Sequence, residues 1–151
     1  MRQPLRIVIV GIGNILRGDD GVGVAIAARL KEHLRNKPNV KIYEVGESPE
    51  NYLDKITADQ PDIIYLIDAG EFGGKPGEFR IFSNPRPKTQ GFSTHSTSLS
   101  LVINFLTLQT TAQVYLLAIQ PEKIGLGEDL SPAVTKGMEE ATQFLEAACQ
   151  K

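Results

Sequence analysis

The chain has 151 residues, 41% of them hydrophobic and 23% charged, with sixteen Lys plus Arg against eighteen Asp plus Glu. That is enough for one domain with its own core, and the balance excludes a disordered chain and a basic surface that binds nucleic acid by counterion release. The single cysteine, Cys149, excludes an internal disulfide. No window approaches the roughly 18 apolar residues that span a bilayer, so no membrane insertion is expected. Nothing before Ile7 resembles a signal peptide, so the expected location is cytoplasmic.

Residues 5–10 are rich in β-branched side chains and stop at Gly11 and Gly13, which predicts a strand buried on both faces. Val22, Ile26, Leu30 and Leu34 fall at helical spacing and predict an amphipathic helix to about Asn36. A second strand is expected over residues 40–45. Ser48-Pro49-Glu50 then starts a short helix reaching about Thr57, with a capping oxygen, a proline at the first position and an acid at the positive dipole end. Residues 62–68 form a third strand with Asp68 at its far end. Gly70, Gly73, Gly74, Pro76 and Gly77 mark turns before a half-exposed strand over residues 79–82, expected at a sheet edge.

Residues 84–92 read as a loop before a helix carrying Leu99, Val102, Ile103 and Leu106, and residues 114–119 as the last strand. Ser131-Pro132 starts a final helix whose apolar set is Val134, Met138, Ala141, Leu145 and Ala148. The alternation predicts an α/β fold. We expect a single domain over residues 1–151, a three-layer sandwich. Its sheet would be mostly parallel and twisted, of about five strands with helices on both faces, the strand at 79–82 being the antiparallel edge.

The stretch GIGNILRGDDGVG, residues 11–23, has the look of a phosphate-binding loop but fails both templates. In the dinucleotide spacing the third glycine is replaced by Leu16. In the other phosphate loop Gly13 and Gly18 hold the spacing, but Asp19 and Asp20 stand where Lys and Ser/Thr are needed. Two carboxylates at a helix start are favoured by its dipole, yet they repel a phosphate. One acid suffices as a cap, so the second invites a cation.

In parallel α/β sheets, functional groups gather outside the carboxyl ends of the strands. Asp20 leaves the first strand there. Asp68 ends the third, with Ala69 and Gly70 small enough to leave its carboxylate uncovered. His95 sits where the long loop meets a helix and can reach the same edge. Two carboxylates and an imidazole suit Zn, Ni or Mn better than Ca and leave coordination positions open. The plainer alternatives are that an acid of the pair only caps the helix and that His95 is a hydrogen-bonded surface residue. His33, among charged residues, reads as solvated.

Together these residues resemble the hydrogenase maturation endopeptidases, which trim the C-terminal extension from the large subunit of [NiFe] hydrogenases. The matching pieces are residues 11–23, the Leu66-Ile67-Asp68-Ala69 strand end, the Thr94-His95 step and Ala118-Ile119-Gln120-Pro121. The segment 46–51, GESPEN, is most similar to the branch acting on formate-lyase-linked hydrogenases.

The resemblance implies that Asp20, Asp68 and His95 are both the metal-binding and the catalytic residues. It also implies that the partner is the hydrogenase large-subunit precursor and that the nickel is supplied by that substrate. An adventitious divalent ion (Zn, Cd or Ni) is the alternative for the isolated protein. No Ser-His-Asp or Cys-His arrangement is evident, which leaves a metal to polarise the peptide carbonyl or activate water, with Asp19 or Glu44 assisting proton transfer. Asn14 and Gly13 would shape the loop, and residues 84–91, with Arg86 and Lys88, could receive the precursor's tail. The rival readings are a non-enzymatic nickel-delivery module using the same three residues and a nucleotide-binding domain. Oligomeric state is not legible from the sequence.

Overall fold

A computed structural model describes residues 3–86 and 90–150. Its first strand, β1 (Ile7–Ile12), lies inside the sheet and every residue of it is buried. On one side β1 pairs in parallel with β2 (Val40–Gly46), and on the other with β3 (Ile63–Glu71). Beyond β3 lies parallel β6 (Gln113–Ile119), and beyond that β4 (Phe79–Ser83), which is antiparallel and forms the edge, as expected.

Among the described residues four α-helices cover the two faces. They are α1 (Val22–His33), α2 (Leu53–Ala58), α3 (Leu99–Gln109) and α4 (Pro132–Ala148). The layering follows from the alternation of side chains along a strand. Ile7 and Ile9 of β1 join Ile67 and Leu117 under Ile26 and Leu30 of α1 and Val134 and Leu145 of α4. Val8 and Val10 point the other way, with Leu66 and Leu116 against Ile56 of α2 and Val102 and Leu106 of α3. His33 of α1 meets Glu146 of α4 at 3.1 Å, so it is paired rather than simply solvated.

The chain leaves β1 for β2 on one side and returns to β3 on the other. The carboxyl ends of β1 and β3 therefore flank the switch in strand order, where open α/β sheets have their crevice. At that end α1 is drawn hard against the sheet. A Cβ on Gly23 would lie 2.3 Å from the carbonyl oxygen of Ile67 and 2.4 Å from that of Ile12.

Three departures from the sequence expectations have physical causes. The helix after Ser48 starts as a tight 3₁₀ turn, Pro49–Tyr52, in which the Ser48 side chain makes no capping bond, and only then becomes α2. The first helix stops at His33 rather than near Asn36, closed by the Leu34 N–H on the Leu30 carbonyl. A sixth strand, β5 (Ser93–Thr94), interrupts the long connection by pairing antiparallel with Gly70 and Glu71, which extend β3 past Asp68. Within the 84–91 loop, Pro87, Lys88 and Thr89 lie outside the described residues. Among the described residues no helix is long and apolar enough to cross a membrane.

Candidate active site

The crevice is built first by the turn after β1. Gly13 has φ of 137°, and a Cβ there would sit 1.9 Å from the Asp20 carbonyl oxygen, so glycine is required for the chain to double back on itself. The returning loop sets Asn14 N–H on Asp20 Oδ2 at 3.1 Å, while Asn14 Oδ1 accepts from Leu16 N–H at 2.8 Å. Residues 18–21 then form a 3₁₀ turn, buried throughout. Neither acid caps α1, whose N-cap is Gly21 with no side-chain bond.

Asp19 turns away from the crevice. Its Oδ1 accepts from Ser131 N–H (2.7 Å). Its Oδ2 accepts from Glu122 N–H (2.8 Å), Lys123 N–H (2.9 Å) and Ser131 Oγ–H (2.9 Å). Four donors converge on this buried carboxylate, three on Oδ2 and one on Oδ1, and all of them come from the segment 122–131, so Asp19 fastens that segment to the loop after β1. Glu44 is also engaged, 2.9 Å from Lys31 Nζ. The two acids expected to assist proton transfer are therefore a structural clamp and half of an ion pair.

Asp68 is almost wholly buried, contrary to the expectation that its small neighbours leave it uncovered. The cause is the Gly70–Thr94 and Glu71–Ser93 pairing, which lays the following residues over it. Ser96 Oγ–H donates to Asp68 Oδ2 at 2.8 Å, but among the described residues the buried Oδ1 has no partner. Burial holds the Asp68 carboxyl well above the ordinary 3.8, and the neighbouring Asp20 charge pushes in the same direction, while the Ser96 hydroxyl and Ala69 N–H pull it back. An unpartnered buried oxygen beside a second carboxylate is the donor set a cation would relieve.

His95 does not complete that set. It is exposed, and among the described residues no three His, Cys, Asp or Glu side chains are grouped so as to hold a metal. The expected convergence of Asp20, Asp68 and His95 is thus reduced to the two aspartates. From β5 onward it is the hydroxyl of Ser96, not the imidazole one residue earlier, that comes down on Asp68.

The family model HycI, hydrogenase maturation protease, matches residues 24–148. The chain belongs to the hydrogenase maturation proteases. Its relatives include the hydrogenase 3 maturation protease of Escherichia coli, 30% identical over 141 residues that cover 92% of this chain and 88% of that protein. A putative hydrogenase maturation protease of Methanocaldococcus jannaschii is 30% identical over 130 residues, 82% of this chain and 77% of that one. Among solved structures, the [NiFe] hydrogenase maturation protease HycI of Thermococcus kodakarensis superposes with a TM-score of 0.87 at 39% identity, covering 97% of this chain and 94% of that one. The endopeptidase HycI of Escherichia coli gives 0.78 at 26% identity, over 95% and 90%.

The sequence reading of this hydrogenase maturation protease missed two positioning side chains. For Ser96 no local pattern announces a bond to a residue 28 positions away. Gln120 belongs to the Ala118-Ile119-Gln120-Pro121 motif, which by itself names no role for it. Its Oε1 accepts from Phe72 N–H (3.0 Å) and Gly74 N–H (3.2 Å), and its amide donates to Glu71, so it fixes the chain just beyond β3. The Gln-Pro step closing β6 was the available signal. As a peptidase the protein breaks a bond, which a delivery module does not.

Proposed function

We propose that this protease removes the C-terminal extension of the [NiFe] hydrogenase large-subunit precursor after nickel has been placed in it, with that nickel serving as the recognition element. The observation that carries the reading is the Asp68 carboxylate, buried at the mouth of the crevice with one oxygen unpartnered and Asp20 beside it. Peptide hydrolysis adds water across the C–N bond: its oxygen goes to the carbonyl carbon and its protons leave on the new amine and carboxylic acid. A cation at the two aspartates can polarise that carbonyl or its water. The nickel belongs to the substrate, so the same contact that assists attack also makes cleavage wait for metal insertion.

In this reading Asp20 and Asp68 approach the nickel from the ends of the first and third strands, and His95 closes on it from the segment after β5 when the precursor is seated. The Asn14 N–H fixes one Asp20 oxygen, and Ser96 fixes one Asp68 oxygen, which leaves one oxygen of each acid to face the ion. The test is cleavage of nickel-loaded precursor followed by intact mass. Wild type should remove the tail, while Asp20→Asn, Asp68→Asn and His95→Ala should leave the precursor mass unchanged and still melt as folded proteins. Full processing by His95→Ala would remove the imidazole from the proposal, and full processing by either aspartate variant would defeat it.

A further inference from the structure

Ile15, Leu16 and Leu126 are large apolar side chains held in water, 67%, 64% and 73% exposed. Such residues scattered over a surface need no explanation, but these sit on two loops bonded to each other at the rim of the crevice. Gly127 N–H donates to the Leu16 carbonyl at 2.8 Å, Gly18 N–H to the Glu128 carbonyl at 3.1 Å and Asp19 N–H to the Lys123 carbonyl at 2.8 Å. The Asp19 carboxylate pins the far side of the second loop through Glu122, Lys123 and Ser131. Two loops that could have folded their leucines inward are instead fastened along their backbones with the leucines outward.

The rim is continuous with the site. Ile15 follows the residue whose N–H holds Asp20. Ile15 and Leu16 also form one wall of a cleft of ≈ 400 Å³ that has Val24 and Gly46 among its lining residues. The same cleft is lined by Gly13 and Asn14, whose N–H holds Asp20, so a peptide lying along this wall reaches the backbone that positions that carboxylate. Fixed apolar groups there bind without first losing backbone freedom, which is how preorganised loops gain affinity.

We infer that Ile15, Leu16 and Leu126 form an apolar clamp that grips a hydrophobic stretch of the substrate protein flanking its cleavage point, and so determine which precursor is taken. The inference rests on the proposed cleavage reaction, so its test reads binding and cleavage separately. Leu16→Ser, Leu126→Ser and the double variant are compared with wild type for affinity to nickel-loaded precursor and for KM and kcat. Leu108→Ser, on an 81% exposed leucine near the end of α3, is the control. Burying one leucine is worth about tenfold in affinity.

Each rim variant should therefore weaken binding and raise KM by about tenfold, with kcat within about twofold and the melting temperature unchanged, while Leu108→Ser matches wild type. Unchanged KM and affinity in the double variant would overturn the clamp. So would an equal loss in Leu108→Ser, or a loss traced by sedimentation to a broken dimer. If wild type binds precursor but never cuts it, the cleavage reading fails while the rim variants still decide the clamp. Should Leu126→Ser unfold, Ile15→Ser carries the same comparison.

Discussion

Asp19→Asn should separate architecture from chemistry in the acidic pair. The substitution keeps shape and replaces one carboxylate oxygen with an NH₂ group. With the amide nitrogen at Oδ1, the buried Ser131 N–H faces another donor; at Oδ2, two backbone N–H groups and a hydroxyl do. The better choice orphans one buried donor, costing about 1–3 kcal/mol, and turns three charge-assisted bonds into neutral ones at about 1 kcal/mol each. Relief from burying a charge offsets part of this. The net is about 3 kcal/mol, a large part of the 5–15 kcal/mol typical of a domain, and at this chain length it corresponds to roughly 6–12 °C in melting temperature. Urea and thermal unfolding measure the loss, and precursor cleavage well below the variant's midpoint measures the chemistry. We expect lower stability with cleavage largely kept. A variant as stable as wild type, or one that is stable and inactive, would refute the reasoning and return Asp19 to the catalytic set.

Gly23→Ala places a methyl group against the backbone carbonyls of Ile12 and Ile67, which cannot step aside as a side chain could. It should cost about 3 kcal/mol in urea unfolding, at the upper end of overpacking penalties. Ser96→Ala removes the only hydrogen bond from a side chain to Asp68 among the described residues and should lower kcat for precursor cleavage by about tenfold at a cost of about 1–3 kcal/mol in stability; Ser96→Thr, which keeps the hydroxyl, should recover most of both. Cys149 is buried near the end of the last helix, where burial pushes its thiol from the ordinary 9.0 up to about 11. The folded state keeps a proton that the unfolded chain releases. The thiol's contribution to stability is thus whole below pH 9 and is lost as the pH rises through 11. Urea midpoints across pH 8–11.5 should fall more steeply for wild type than for Cys149→Ala, and native protein should label slowly with thiol reagents at pH 8.

The sheet was legible because its strands are short apolar runs between turn residues, and the faces of α1, α3 and α4 because Ile26, Leu30, Val102, Leu106, Val134 and Leu145 repeat at helical spacing. Each of these signals is local. The two-residue strand β5 has no such signal: Ser93 and Thr94 become a strand only because Gly70 and Glu71 offer an edge. The start of α2 departs from its local signal for a related reason. Ser48-Pro49-Glu50 contains the right residues for a cap, but the turn tightens into 3₁₀ geometry in which the serine side chain makes no bond.

The same division runs through the site. Asp20 and Asp68 could be placed at one edge because topology alone sends the ends of β1 and β3 there. Whether a carboxylate at that edge is free, clamped or covered depends on partners far away in the chain. Asp19 is fixed by donors 103 to 112 residues away, a separation that no local pattern reveals, and it does not cap α1. The two aspartates are adjacent in the chain, yet one accepts four hydrogen bonds from the segment 122–131 while the other accepts one, from the Asn14 N–H. The division of labour follows from the 3₁₀ turn at residues 18–21, which points successive side chains in different directions where a strand would have alternated them across a sheet. One acid fastens the two rim loops and the other meets Asp68, so the doubled aspartate is better understood as a joint between scaffold and site than as a pair of ligands.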